Sequence, residues 1–244
     1  MKKTEDNYIS IHFSQIHEID KIEKEYSNYF KFFCGNYKRH VPTDRNAKIL
    51  DMGCGLGETL FSLHKLGYRN VTGIDFSQEC VDFCNKMKFA KCRKGDALEY
   101  FQRIDEQYDV IFFNDIIEHF LLEDVIRILN GMRRCLNRGG VILIKTMNGG
   151  NAILGTTTLY SDLTHKIMFD EFSLKEVAIV AGFSLSEIQI KKANLYCFFY
   201  NPFNYVAWAC NSLISLFLRF YFLLNNKKNK IFTKNIIAVI EREK

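Results

Sequence analysis

The run Ile49-Leu-Asp-Met-Gly-Cys-Gly-Leu-Gly57 shows its chemistry plainly: an apolar stretch meets a carboxylate and enters a turn with glycine at alternate positions. Gly53 and Gly55 let backbone pass close beneath a ligand, and Gly57 stands where a helix should begin. Asp51 discriminates between ligands. A pyrophosphate wants amide donors and a helix dipole without a carboxylate nearby, whereas an anion beside the turn suits a ligand carrying an ammonium or sulfonium group. A second apolar run, Asn70 to Asp75, also ends in a carboxylate. Asp75 lies about 20 residues past the turn, where an acidic side chain accepts hydrogen bonds from ribose hydroxyls. Dinucleotide-dependent dehydrogenases would share that much. Gly95-Asp96-Ala97 and Asn114-Asp115 extend the pattern beyond it.

Asp115-Ile-Ile-Glu118-His119 and the later Asp162-Leu-Thr-His165 form a second set. If a helix begins at Asp115, Glu118 and His119 follow three and four residues on and share its face. An imidazole near its ordinary pKa can take a hydroxyl proton at neutral pH, so His119 or His165 is a candidate general base, with Glu118 beside them. Alternatively Asp115, Glu118, His119 and His165 ligate a divalent metal that polarises the acceptor oxygen. In the structural alternative, Glu118 caps the helix start and His119 packs under the cofactor. Asp96 has its own such alternative, as N-cap of a helix from Ala97.

Elements of the right kind stand ready to position these groups. Short apolar runs at Lys48–Met52, Asn70–Asp75, Ala90–Lys94, Tyr108–Asn114 and Gly140–Thr146 alternate with helix-length segments at Glu58–Leu66, Gln78–Met87, Leu98–Arg103 and Ile117–Leu136. That alternation predicts a parallel sheet in an α/β domain. Asn137-Arg138-Gly139-Gly140 reads as a glycine cap ending the long helix. A helix at Ser173–Ala181 and strands at Ser184–Lys191 and Asn235–Glu241 complete the series. Residues 1–44 carry Ile16, Ile19, Ile22 and Tyr26 at helical spacing and then an aromatic cluster, and they read as a helical cap over the cofactor.

With these residues in view, the chain resembles the class I S-adenosylmethionine-dependent methyltransferases over residues 45–192 and the last strand. The resemblance implies a doubly wound, seven-stranded, mostly parallel Rossmann-like sheet, with the last strand inserted antiparallel beside the fifth. It implies S-adenosylmethionine as cofactor. Gly53 and Gly55, with Cys54 between them, approach the methionine part, and Asp51 serves its ammonium. Asp75 holds the ribose, Phe76 covers the adenine, Asp96 accepts from the adenine amino group, and Ala97 offers its amide. Asn114 and Asp115 lie beneath the sulfonium. The Asp115-to-His119 spacing is similar to the E-x-x-E-H of small-RNA 2'-O-methyltransferases and to a motif in ubiquinone O-methyltransferases. Asp115 replaces the first glutamate with a shorter arm, so a divalent metal is not the expected reading.

Thr158 to Leu174, followed by Ala181-Gly182-Phe183, looks like a stretch of bacterial methyltransferases associated with surface polysaccharide assembly. That implies a sugar hydroxyl or phosphoryl-type oxygen as acceptor, on a small molecule or a lipid-linked saccharide, with Asp162, Thr164 and His165 lining its pocket. A ubiquinone-type acceptor is the alternative. A non-catalytic cofactor-binding protein would leave the carboxylates and imidazoles unused.

The bulk properties narrow the partners. At 244 residues and 48% apolar content the chain fits one α/β domain with an appendage: the domain at 45–192 and 231–244, a hydrophobic helical insertion at 193–230. The eight cysteines are scattered without metal-like spacing and read as cytosolic thiols. Met1 to Ser10 is charged and polar, so a cytoplasmic location is expected. A net charge of +5 without a basic, aromatic channel near the site argues against nucleic acid. Phe203 to Leu224 is long enough to span a bilayer, yet the chain must return to add its last strand. It is therefore expected to lie at the inner face of a membrane, or to be a helical pair buried on the core or against a second copy in a homo-oligomer.

Overall fold

A computed structural model describes residues 22–103, 105–151, 153–194 and 203–243. The strands are β1 (Ile49–Met52), β2 (Val71–Asp75), β3 (Lys91–Lys94), β4 (Tyr108–Asn114), β5 (Leu136–Met147), β6 (Ile188–Lys192) and β7 (Asn235–Glu241), and all but the polar β3 carry branched or aromatic residues. They make one sheet of order β3-β2-β1-β4-β5-β7-β6. All neighbours pair in parallel except β7, which lies antiparallel between β5 and β6. The α/β fold class expected from the sequence is thus present, including the inserted antiparallel strand.

The helices are α1 (Ile22–Asn36), α2 (Glu58–Lys65), α3 (Gln78–Met87), α4 (Ala97–Arg103), α5 (Leu122–Cys135), α6 (Leu154–Ser161), α7 (Ser173–Val180) and α8 (Phe203–Leu224). They cover both faces, which is why the central strands are apolar without alternation. Leu50, Ile111, Phe113 and Ile142 pack with Leu129 and Met132 on one side, and Ile49, Val110, Phe112 and Leu143 pack with Phe33, Tyr37 and Leu63 on the other. The N-terminal helix is stitched to the glycine turn by tyrosine hydroxyls: Tyr26 donates to Leu56 O at 2.5 Å, and Tyr29 meets Thr59 Oγ1 at 3.0 Å. Its expected earlier part, through Ile16 and Ile19, lies outside the described residues.

Four local expectations are corrected. The long helix does not begin near Asp115: that residue has φ 55°, Ile117–His119 is a 3₁₀ turn, and Phe120 is extended before α5 starts. The Glu118 carbonyl explains the break, since it accepts from the amides of Lys166 and Ile167 and is lost to a helical ladder. Nor do the glycines at 139–140 cap α5. Leu136 is already extended and paired with Tyr108, and the next pair is Val110 with Val141, so the glycines form a bulge. Strand β6 starts four residues late, because Ser184 and Glu187 close a capping box on each other. Finally, residues 203–224 are a single helix with one side against the body, neither a pair nor a core element. No helix among the described residues is long and apolar enough to cross a membrane.

Candidate active site

The parallel register of β1, β2 and β4 brings their carboxyl ends to one edge, with Met52 beside Ile74 and Phe113. In doubly wound sheets this edge is where ligands bind. At the glycine turn the amides are consumed internally. Gly53 N and Cys54 N both donate to Ile74 O at 2.7 and 3.0 Å, Gly57 N donates to Cys54 O at 2.8 Å, and Gly55 N donates to Asp75 Oδ2 at 2.9 Å. Ser77 N takes the other Asp75 oxygen at 2.9 Å. A turn whose donors are spent this way is no phosphate cradle. Gly53 has φ +73°, and a Cβ there would lie 2.6 Å from Ile116 Cγ2, so the turn sits directly on the loop after β4.

Among the described residues, two buried polar atoms at this edge have no hydrogen-bond partner. Asp51 is 2% exposed, and its Oδ2 accepts nothing. Burial pushes its carboxyl well above the usual range, with Cys92 and then Glu58 and Asp75 adding to the effect. Asn114 Oδ1 accepts from Tyr37 Oη at 2.9 Å, which leaves its buried Nδ2 without an acceptor. Leaving such groups unmatched costs about 1–3 kcal/mol each. One ligand end would satisfy both: an ammonium for Asp51 and a carboxylate for Asn114.

The other residues expected at the cofactor fall around this edge. Burial raises the Asp75 carboxyl against the opposing pull of the Ser77 and Gly55 amides. Phe76 is 41% exposed at the rim. Asp96 Oδ1 accepts from Glu99 N at 3.0 Å, so Asp96 caps α4 whatever else it does, and Ala97 is buried behind it. Asp115 is bound to Lys145 Nζ at 2.5 Å, and that ammonium lies over the rings of Phe32 and Tyr29. Cys54 turns its thiol inward. With Cys84 and Cys92 it forms a cluster whose sulfurs lie within 4.8 Å of one another, a donor set suited to a soft metal ion. The sequence hides this trio because its members come from a turn, a helix and an edge strand.

The second set divides. Glu118 is 2% exposed, its Oε2 accepts from Thr146 Oγ1 at 2.9 Å, and burial followed by the Asp115 charge pushes its carboxyl up to about 8. It is turned into the core rather than toward the mouth, correcting the shared helix face. His119 Nδ1 is 2.8 Å from Thr164 Oγ1, which donates to Asp162 Oδ1 at 2.7 Å. That donation obliges Nδ1 to carry the proton and leaves the lone pair on Nε2. Burial, then the neighbouring His165, lowers His119 to about 4, so it is neutral at pH 7. His165 lies against it, ring centroids 4.8 Å apart, with Nδ1 toward Thr158 O. The metal-type grouping here is His119, Asp162 and His165, with ligand atoms within 4.8 Å. Asp115 and Glu118, ligands only in the alternative metal reading, are engaged with Lys145 and Thr146, and Asp162 stands in the grouping instead.

Residues 50–144 match a family model described as Methyltransferase domain. A ubiquinone biosynthesis O-methyltransferase of Hydrogenovibrio crunogenus is 26% identical over 141 residues, covering 56% of this chain and 53% of the relative. A probable S-adenosyl-L-methionine-dependent methyltransferase, TehB, of Haemophilus influenzae is 30% identical over 132 residues, covering 53% and 44%. The chain thus spans about half the length of the curated relatives it matches. A solved SAM-dependent methyltransferase from Archaeoglobus fulgidus aligns with 97% of this chain and 100% of its own at TM-score 0.64 and 19% identity. Residues 50–144 are thus similar to a methyltransferase domain, on a sheet with the fold of a solved S-adenosylmethionine-dependent methyltransferase.

The residues present fit that cofactor. Its methionine end carries the ammonium and carboxylate that Asp51 Oδ2 and Asn114 Nδ2 lack, and its missing phosphates agree with a turn whose amides are already used. At this edge Asp51, Asn114, Asp75 and Phe76 would hold it. Sequence reading missed the part played by Tyr37 and gave Thr164 only as pocket lining. Tyr37 aims Asn114 from the end of α1, and Thr164 joins His119 to Asp162. Both come from distant segments, although Thr164 stood inside a motif already singled out.

Proposed function

We propose that the chain methylates a hydroxyl oxygen on a hydrophobic, quinol-like small molecule, using S-adenosylmethionine. The observation that carries the reaction type is the chain Asp162–Thr164–His119 on the loops beside the Asn114 edge. When bound, S-adenosylmethionine supplies a methyl group that is already activated, so the protein needs chiefly to align the acceptor and remove its proton. His119 Nε2 takes the hydroxyl proton, and Nδ1–H stays on Thr164 Oγ1. Asp162, two hydrogen bonds away, stabilises the imidazolium that forms, as a carboxylate orients and supports a histidine base elsewhere. His165 packs against the ring at a 4.8 Å centroid distance. Support for the acceptor class comes from the names of the curated relatives, several of which are ubiquinone biosynthesis O-methyltransferases. A saccharide hydroxyl is the second reading, favoured by the polar lining of Asp162, Thr164 and His165.

Methyl-labelled cofactor offered with a prenylated catechol, and separately with a lipid-linked saccharide, tests the proposal. Label is expected in the catechol ether, with turnover lowered about 10²–10⁴-fold in His119→Ala at unchanged cofactor affinity. Label in the saccharide alone would replace the acceptor by the second reading, and label in neither would remove the O-methylation proposal.

A further inference from the structure

Helix α8 carries its amphipathicity the wrong way round for a soluble protein. Among its described side chains the least exposed are Asn211, Ser215, Leu218 and Phe222, spaced four, three and four apart on one stripe. Leu218 is buried, and Phe222 meets the buried Phe232 with ring centroids 5.0 Å apart. That stripe, half of it polar, faces the body. The remaining arc is apolar and open: Leu213, Leu216, Phe217, Phe220, Leu223 and Leu224 are all between 59% and 68% exposed. An apolar surface of this breadth marks a place that something else covers.

The charges identify the cover. From Phe203 to Ile240 the chain has Arg219, Lys227, Lys228, Lys230 and Lys234, and no aspartate or glutamate. The helix ends through Asn226, in the left-handed region at φ 55°, with Lys227 N donating back to Phe222 O at 2.8 Å, which turns the chain straight into the lysines. Arg219, Lys227, Lys228 and Lys230 then line a groove with Lys175 from α7. Leu223 belongs to both the groove and the open apolar arc. Glu171, also in the groove, accepts from Lys230 N at 2.6 Å.

We infer that α8 and this basic groove dock the protein on an anionic lipid surface, the apolar arc lying among the acyl chains and the cations at the phosphate headgroups. A helix that lies in the interface gains from apolar burial and from anionic lipid together, and a basic cluster beside it adds about fivefold in binding per charge. The helix does not cross. Docking is independent of the methyl-transfer reading, because it uses no residue of the sheet edge.

Trp208 is the only tryptophan and stands half exposed on the helix, so it reports directly. The full chain is mixed with vesicles of phosphatidylcholine, alone or with phosphatidylglycerol, and tryptophan emission and co-sedimentation are followed. Expected are a blue shift and sedimentation with the anionic vesicles, about 25-fold weaker in Lys227→Gln/Lys228→Gln and abolished in Leu213→Asp/Phe217→Asp. All four positions are exposed, so folding is spared, and far-ultraviolet circular dichroism checks it. Protein left in the supernatant with anionic vesicles would overturn the inference. So would a lipid-free dimer that Leu213→Asp/Phe217→Asp dissociates, since a second copy would then be the cover.

Discussion

At Glu118, burial and the nearby Asp115 act in the same direction, and the carboxyl is held protonated up to about 8 while it accepts from Thr146. The sign of its effect on stability follows. Its pKa is raised on folding, so its contribution is full below the unfolded value near 4.5 and is lost as pH rises through about 8. Urea unfolding between pH 5 and 9 should show stability falling in the wild type and a flatter profile in Glu118→Gln. Parallel profiles would mean that the carboxyl is not protonated in the fold. This role was not legible in the sequence. Glu118-His119 looked like a catalytic pair because adjacency on a helix would point both at the mouth, and the 3₁₀ turn sends them to different places. His119 does meet His165, ring against ring, but its Nδ1 is held by Thr164 and Asp162, whose hydrogen bonds depend on loop geometry that residue types do not encode.

Among the elements, the glycine turn and the loop after β4 behave as one unit, because Gly53 leaves just enough space for Ile116. Gly53→Ala should cost roughly 2–4 kcal/mol, from the left-handed backbone at φ +73° together with the 2.6 Å approach to Ile116. A denaturant midpoint within error of wild type would show that the two do not touch as described. Most of the strands were readable because they are short apolar runs with a carboxylate or turn at the end, and that pattern survives in one dimension. Helix α6 was not. Its Thr156-Thr157-Thr158 run has weak helix propensity, and Thr158 Oγ1 bonds back to Leu154 O, a local compensation visible only once the helix exists. The bulge at 137–140 escaped for a similar reason: glycines after a helical stretch signal a cap and a bulge equally well until the partner strand is known.

Across the whole molecule, the sheet order gathers Asp51, Asp75 and Asn114 from three strands onto one edge, while α1 closes over them through Tyr26, Tyr29 and Tyr37. Asp51 was the residue that first distinguished a cationic ligand from a pyrophosphate, and the fold explains why. It is buried, unpartnered and beside a turn whose amides are spent, an arrangement that costs stability in the free protein and is relieved by a ligand ammonium. Calorimetric titration of the full chain with S-adenosylmethionine, in the wild type and in Asp51→Asn, is the most direct measurement. One cofactor should bind per wild-type chain, with affinity about 10- to 100-fold lower in Asp51→Asn as a charged hydrogen bond is lost. No binding to the wild type, or equal affinity in the two proteins, would contradict the assignment of this edge to the cofactor.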